Sequence, residues 1–213
     1  MLTPKLPETI REDTLEEAVA RALETGDDLE GCRFYGEEFP DISGERLEIT
    51  GCHFEKCVFR TNGAERLALV DCVFDNCDFT AMAFPKATLQ RVCFRQCRMT
   101  GAQMAESVLM NVCFDSCQMD FSGFSDIKAQ HVAFAGCAMK ESAFFRFRWQ
   151  DWVLRSCDWQ GAEIRETSLR GLDVTSCRIE GMTVELSAVR GLRVTREQAA
   201  LLAALLGLEI AEC

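Results

Sequence analysis

Every fifth residue from Leu29 to Val194 is apolar or small, a period that fits neither an α-helix nor a β-strand. We call these 34 residues centre positions. Of them, 31 carry Phe, Leu, Ile, Met, Val or Trp, and the exceptions are Gly44, Ala64 and Ala129. The series contains no insertion. A chain with this period turns a corner every five residues, and each straight segment directs one large side chain inward.

The position two residues before each centre, which we call the second position, is also restricted to a narrow set of residue types, most often Cys. Like residues also recur every twenty positions, as in the series that begins Phe34, Phe54, Phe74. Since twenty residues make four segments, the pattern predicts an all-β parallel β-helix with four sides. With coils about 4.8 Å apart, some eight and a half coils make a rod of roughly 40 Å. The second position holds ten of the thirteen cysteines: Cys32, Cys52, Cys57, Cys72, Cys77, Cys97, Cys117, Cys137, Cys157 and Cys177.

Glycine supports the assignment of the corners. Nine glycines lie two residues after a centre, where a tight turn favours a positive φ. The remaining residues of each five carry most of the charge, so they are expected to face outward. The nine are Gly31, Gly36, Gly51, Gly101, Gly136, Gly161, Gly171, Gly181 and Gly191.

The N-terminal end carries a helix signal. Thr14 and Glu17 form a capping box, the following LEEAVARALE has helical spacing, and Gly26 is a stop signal. We therefore expect residues 1–26 to contain a short helix that covers the first coil, and residues 27–195 to form the β-helix.

A second capping box, Thr195 with Gln198, precedes the apolar run Ala199–Leu206. A helix that is apolar all round is buried on more than one side. If one side covers the last coil, the other needs a partner, so we expect a homodimer through residues 196–213. The alternative is a monomer in which the helix folds back on the rod. The expected dimerisation residues are Leu201, Leu202, Leu205, Leu206, Leu208 and Ile210.

Composition narrows the location and the chemistry. The chain lacks an apolar run of about 18 residues and a basic, apolar start, so we expect no membrane segment, no export and a cytoplasmic protein. Thirteen cysteines, an odd number, favour reduced thiols. A formal net charge of −11 and inward phenylalanines argue against direct binding of nucleic acid.

An enzyme requires titratable groups that converge, and the pattern predicts none. His53 and His131 both face outward, four coils apart, and no phosphate-binding glycine loop or zinc-site spacing occurs. We therefore expect no catalytic site, no cofactor and no metal. Within the inward cysteine ladder, parallel side chains hold Cβ atoms near the strand spacing, so packing is the expected role. Cys93, Cys113 and Cys213 lie outside the ladder and are the expected reactive thiols.

The stretch FFRFRWQDW, residues 144–152, departs from the pattern. Phe147 and Trp152 occupy positions that elsewhere hold small residues, so one interpretation is a widened coil packed by larger groups. The other is an outward contact patch formed by Phe145, Arg146 and Arg148.

The small-x-(Leu/Phe)-x-x motif resembles the pentapeptide-repeat proteins over about residues 27–196. The resemblance implies a right-handed quadrilateral β-helix. The tail VTREQAALLAALLGLEIAEC is similar to the end of the quinolone-resistance (Qnr-like) and MfpA-like members, in which a final helix and strand join two rods. That similarity implies a rod that imitates duplex DNA, occupies DNA gyrase, a type II topoisomerase, and protects it from quinolones.

Charge leaves two functions open. Residues 1–50 contain fourteen acids and five bases, whereas residues 51–213 contain twenty acids and eighteen bases. The acidic total and the tail favour a gyrase-binding DNA mimic. The mixed surface and the aromatic stretch favour a protein-interaction scaffold with an unrelated partner. The candidate partner-binding acids of the mimic are Asp158, Glu163, Glu166, Asp173, Glu180 and Glu185.

Overall fold

The computed structural model describes residues 1–7, 14–42, 44–60, 66–205, 207–208 and 211. In these residues the chain forms a parallel β-helix with one α-helix at each end. Each strand pairs with the strand twenty residues further on, so that Leu89 lies beside Leu109 and Phe94 beside Phe114. The predicted fold class is therefore confirmed.

The elements are short because a corner interrupts the chain after each side. In chain order they are α1 (Leu15–Thr25), β1 (Leu29–Glu30), β2 (Arg33–Tyr35), β3 (Glu38–Phe39), β4 (Arg46–Thr50), β5 (His53–Glu55), β6 (Val58–Phe59), β7 (Arg66–Val70), β8 (Val73–Asp75), β9 (Ala83–Pro85), β10 (Thr88–Arg95), β11 (Gln103–Ala105), β12 (Val108–Asp115), β13 (Gly123–Ser125), β14 (Lys128–Ala135), β15 (Ala143–Phe145), β16 (Arg148–Arg155), β17 (Glu163–Arg165), β18 (Thr183–Val184) and α2 (Arg196–Ala204).

Four sides organise these strands. Side 1 carries β1, β4 and β7, and side 2 carries β2, β5 and β8; the eight-residue strands β10, β12, β14 and β16 run across both. Side 3 carries β3, β6 and single bridges such as Asp78 to Arg98. Side 4 carries β9, β11, β13, β15, β17 and β18.

The corners lie where the glycines predict them. All nine glycines two residues after a centre have positive φ, between 61° and 88°. Eighteen other residues of the described chain share this conformation at the same position of the repeat, among them Asp71 and Phe121. The corner therefore imposes a left-handed backbone on whatever residue occupies it.

Stacked side chains fill the rod. The phenylalanines of side 2 lie over one another, with ring centroids 4.9 Å apart for Phe54 and Phe74 and 5.1 Å apart for Phe94 and Phe114. Cys52 and the eight ladder cysteines after it are buried thiols. They donate to backbone carbonyls, as Cys97 Sγ does to Phe74 O at 3.4 Å. Packing is thus the role that the ladder shows.

The inward pattern fails at two places. Gly44, a centre, is exposed with φ 80°, because the chain turns there and Ile42 and Leu47 fill the core instead. Near the last coil, Ser187 is exposed and its neighbour Ala188 is buried. Ala64 lies outside the described residues.

Both helices begin as predicted. Thr14 Oγ1 accepts from Glu17 N at the start of α1, which ends at Gly26 in the left-handed conformation. Thr195 and Gln198 form a complete capping box at α2, which ends at Ala204, before the apolar run does. Within the described part of the chain, neither helix has the length and hydropathy of a membrane-spanning segment.

Candidate binding surfaces

The six candidate acids lie on three sides of the rod. Asp158 on side 3 accepts from Arg178 Nη1 at 3.2 Å and lies 3.5 Å from Lys140 Nζ. Asp173 on side 2 forms an ion pair with Arg193 at 3.1 Å. Hydrogen bonds from Thr175 lower the pKa of Asp173.

The other four acids are divided between side 3 and side 4. Glu180 on side 3 lies 4.0 Å from Arg178, and Glu163 on side 4 pairs with Arg165. Glu166 N donates to Glu185 Oε1 at 3.5 Å, and Asp158 and Glu180 share the Arg178 guanidinium, which offsets their charge. The structure therefore does not bring the six acids together into one negative strip.

Ion pairs between neighbouring coils explain this pattern. Arg91 makes a bidentate contact with Asp71, with both N–O distances at 2.6 Å. On side 2, Arg95 lies 3.5 Å from Asp75, one coil below it. Because residues of opposite sign stack directly over one another, each pair cancels its own field over a short distance.

The aromatic stretch combines both interpretations. Phe147 and Trp152 fill the interior with 1% and 4% exposure, and their rings lie 4.8 Å apart. Trp149, a centre, is consequently only half-buried, and its indole N–H donates to Ser168 O at 2.6 Å. The coil is packed by larger groups, as the first interpretation predicts.

The same stretch leaves a cluster outside. The Arg146 guanidinium lies 4.1 Å from the Phe145 ring centroid and makes two hydrogen bonds with Asp126, at 2.6 and 2.7 Å. These hydrogen bonds lower the pKa of Asp126. Lys128 and Arg148 are neighbours on β14 and β16 and line an adjacent surface cavity of about 520 Å³.

Side 4 carries a surface that the sequence pattern did not single out. Its strands β9, β11, β13 and β15 contain no charged residue. Phe121, at the corner before β13, is 55% exposed with φ 60°. The Gln103 side chain lies across Gly123, where a Cβ atom would be 2.1 Å from Gln103 Oε1. We call β9, β11, β13 and β15 together with Phe121 the side-4 patch.

The signal for Phe121 is visible in the sequence. It stands two residues after the centre Met119, the position that nine glycines occupy elsewhere. A bulky residue at a corner that requires positive φ is a departure that could have been found from the repeat alone.

The histidines lie apart, each beside one aspartate. His53 Nε2 is 2.7 Å from Asp75 Oδ2, and His131 Nδ1 is 2.9 Å from Asp151 Oδ2. Among the described residues, no three His, Cys, Asp or Glu side chains are grouped so that they could hold a metal ion.

The expectation of reduced thiols is wrong for one pair. Cys93 and Cys113 are joined in a disulfide, with their Cα atoms 4.7 Å apart. Both lie at the outward position of the same register in neighbouring strands, where Cys93 is buried and Cys113 is half-buried. Cys213 lies outside the described residues. In the ladder, by contrast, burial raises the pKa of the Cys72 thiol to about 12.

Helix α2 leaves apolar side chains at the surface. Leu202 packs against the core, whereas Leu201, Leu205 and Leu208 are 41%, 45% and 58% exposed. Leu206 and Ile210 lie outside the described residues. Dimerisation through this end stays a prediction.

The five-residue repeat of this chain matches a known family model. The family model of the pentapeptide repeat region matches residues 47–124 and 67–144. No curated protein matches the chain. Among solved structures, full-length QnrB1, a plasmid-mediated fluoroquinolone resistance protein, is 20% identical with a TM-score of 0.44; the match covers 86% of this chain and 91% of that one. HetL, a pentapeptide-repeat protein involved in heterocyst differentiation regulation from the cyanobacterium Nostoc sp. strain PCC 7120, is 12% identical with a TM-score of 0.38, over 85% and 95% of the two chains.

Proposed function

We propose that this chain, whose residues 47–144 match the model of the pentapeptide repeat region, is a non-enzymatic rod that binds a protein partner through side 4. The observation that carries the proposal is the side-4 patch, whose four strands carry no charge and at whose edge Phe121 is more than half exposed. Charged residues make up 27% of the chain, yet the four strands of this patch hold none. Exposed apolar patches with a polar rim mark protein-binding surfaces, and the half-buried outward residues of these strands include Ala83, Pro85 and Phe145.

The backbone at Phe121 supports the same proposal. A bulky residue rarely adopts positive φ, and glycine does so at lower cost. The corner one coil below is Gly101, and the corner two coils above is Gly161, both with positive φ. Because seventeen other non-glycine corners share this conformation, Phe121 is distinguished by its exposed ring at a corner where the coil below carries glycine.

The rim indicates the chemistry of the partner. Phe145 carries the stacked Arg146, and beyond it Lys128 and Arg148 are exposed. Glu106 and Asp126 line the same cavity as these two side chains, but within the described residues neither forms an ion pair with Lys128 or Arg148. The partner we propose has an apolar centre that contacts Phe121 and acidic groups that face these two cations. Aromatic residues and arginine are the usual main contributors to such interfaces.

Site-specific cross-linking tests this proposal. A photo-reactive residue replaces Phe121 in one variant and Gln118, an exposed residue of the same coil on side 3, in the control. In cells of the native host, we expect a protein cross-linked from position 121 and not from position 118. The product should disappear when Arg148→Glu is added. Equal products from both positions would contradict side 4 as the binding surface.

A matched pair of corner variants separates binding from folding. Phe121→Gly removes the ring and relieves the positive φ, so we expect binding to be lost while stability rises by about 0.5 to 1 kcal/mol. Ala81→Gly changes the backbone at the equivalent corner, two coils below, without removing a ring. Retained binding by Phe121→Gly would show that the ring is not part of the interface.

A second candidate function is binding to DNA gyrase as an imitation of duplex DNA. It is favoured by the acidity of residues 1–50 and by the exposed leucines of α2, through which two rods could join. Two rods of roughly 40 Å span about 80 Å, the length of some two dozen base pairs. The paired states of Asp158 and Asp173 count against it.

Supercoiling by purified gyrase tests this second candidate. The protein is added with and without a quinolone at two salt concentrations, because attraction to a basic groove weakens with salt. A mimic should inhibit the enzyme or protect it from the drug, and Lys substitutions at the six candidate acids should abolish the effect. No effect at any protein concentration, with gyrase of the native host, would exclude the mimic and leave the scaffold.

A further inference from the structure

The Cys93–Cys113 disulfide lies in an apolar column on the outside of side 2. Val73, Cys93, Cys113, Ala133 and Val153 follow one another at the same register of neighbouring strands. Because these side chains point outward, they do not fill the interior of the rod. Its exposure nevertheless changes along the axis: Val73 and Cys93 are buried at 4% and 6%, whereas Val153 is 37% exposed.

Residues 1–7 run along the corner beside this column. Leu2 N donates to Asn111 Oδ1 at 2.8 Å, and Lys5 N donates to Asp71 Oδ1 at 3.0 Å. Further down, the Pro7 ring packs against Gly51: a Cβ atom placed on Gly51 would lie 3.1 Å from Pro7 Cδ. The segment therefore descends three coils along the corner between sides 1 and 2. We call it the strap.

Beyond Met1 the column is open. A cavity of about 390 Å³ is lined by Met1, Cys93, Cys113, Ala133 and Val153, with His131 and Arg155 among its polar groups. Both cysteines line this cavity, which extends past Cys113 to Ala133 and Val153, on the side of Cys113 that faces away from Cys93. Cys113 is half-buried, whereas Cys93 is only 6% exposed.

We propose that this disulfide is a thiol–disulfide exchange site for a small thiol, and that Cys113 Sγ is the atom attacked. A thiolate attacks a disulfide sulfur in line with the bond that breaks. Approach to Cys113 comes from the cavity, whereas approach to Cys93 comes from the direction of Val73, which is buried. Attack on Cys113 forms a mixed disulfide and releases the Cys93 thiolate.

The exchange balances with a second molecule of the small thiol. Its thiolate attacks the mixed disulfide, releases the Cys113 thiolate and leaves as the small disulfide, while the two protein thiolates take up the two protons of the small thiols. The reverse reaction, with the small disulfide as oxidant, restores the Cys93–Cys113 bond. The cysteine ladder takes no part because its sulfurs are buried in the rod.

Single-cysteine variants of the full chain test the order of attack. Cys93→Ser keeps Cys113, and Cys113→Ser keeps Cys93; each is incubated with glutathione disulfide, and peptide mass spectrometry follows glutathione addition at each cysteine. We expect addition at Cys113 to be about tenfold faster than at Cys93, since access controls the rate. The buried ladder cysteines serve as internal controls, and Cys213 is scored on its own peptide.

Removal of the strap is the second arm. Deleting residues 2–5 from the Cys113→Ser variant should raise the rate at Cys93 toward that of Cys113. In the natural sequence, glutathione should open the Cys93–Cys113 bond and glutathione disulfide should close it. The proposal is overturned if both cysteines remain thiols with glutathione disulfide, if the two single variants react at equal rates, or if deleting residues 2–5 leaves the rate at Cys93 unchanged.

Discussion

The two ends of the rod carry helices that begin alike and pack differently. Helix α1 buries four apolar residues against the first coil, among them Leu15 and Val19. In α2 the buried residue is Gln198, while Leu201 and Leu205 remain exposed. The comparison teaches that a capping box places the start of a helix, whereas the residues on its inner face decide whether the helix closes the core.

A polar contact takes the place of apolar packing at the C-terminal end. Gln198 Nε2 donates to the carbonyls of Val174 and Cys177, both at 2.8 Å. The centres of the last coil, such as Val189, are only half-buried. This end therefore buries less apolar surface than the N-terminal end, and its exposed leucines are the surface that a second copy could cover.

The largest loss of stability is expected from mutations in the coils between the two helices. Phe114 is fully buried between Phe94 and Phe134, so Phe114→Ala should lower the free energy of unfolding by about 3 to 5 kcal/mol. Arg95→Ala, at an exposed residue beside Phe94, should change it by less than about 0.5 kcal/mol. Urea unfolding measures both, and equal losses would contradict the inward register.

The N-terminal helix should show the next largest effect. Leu15 is fully buried, so Leu15→Ala should cost about 2 to 5 kcal/mol. Leu201→Ala is the matched control in α2, and under conditions where the protein is monomeric we expect it to cost less than about 0.5 kcal/mol. If the two losses are similar, the ends do not differ in the way that their burial indicates.

The sequence predicts the fold well because the same contacts repeat in every coil. A centre such as Phe94 meets the same neighbours as Phe114, so a single register explains the core. The corners follow for the same reason. At the ends a coil has a neighbour on one side only, and Gly44 and Ser187 depart from the register there.

Features that occur once are harder to predict. The strap is held by single contacts, such as the hydrogen bond from Leu2 N to Asn111 Oδ1. Such contacts leave no repeating pattern in the sequence from which they could be predicted. The Cys93–Cys113 bond forms because outward side chains can turn toward each other, unlike those of the packed ladder. The side-4 patch could have been predicted from the sequence. Sorting the outward residues by side shows that its strands lack charge and that Phe121 stands where other coils carry glycine.

The polar contact of α2 gives an intermediate effect. Gln198→Ala leaves the Val174 and Cys177 carbonyls without their donor, and we expect a loss of about 1 to 3 kcal/mol. Arg196→Gln, at an exposed residue of the same helix, should change stability by less than about 0.5 kcal/mol and serves as the control. Hydrogen exchange of α2 amides should rise in the first variant alone. Unchanged protection would show that Gln198 does not hold the helix to the rod.

The smallest effect on the fold, and the sharpest test of the comparison, concerns the exposed leucines. Leu201→Ser with Leu205→Ser removes apolar surface that the described rod does not bury, so the stability of a monomer should change little. If a second copy covers these residues, the natural protein should sediment as a dimer at micromolar concentration, and its Tm should rise with concentration. The double variant should sediment as a monomer with a Tm that does not depend on concentration. Deleting residues 196–213 should also abolish the dimer, but it exposes the strand edges of the last coil and should lower solubility. The point variants therefore separate association from folding, and a natural protein that is monomeric at micromolar concentration would contradict dimerisation through α2.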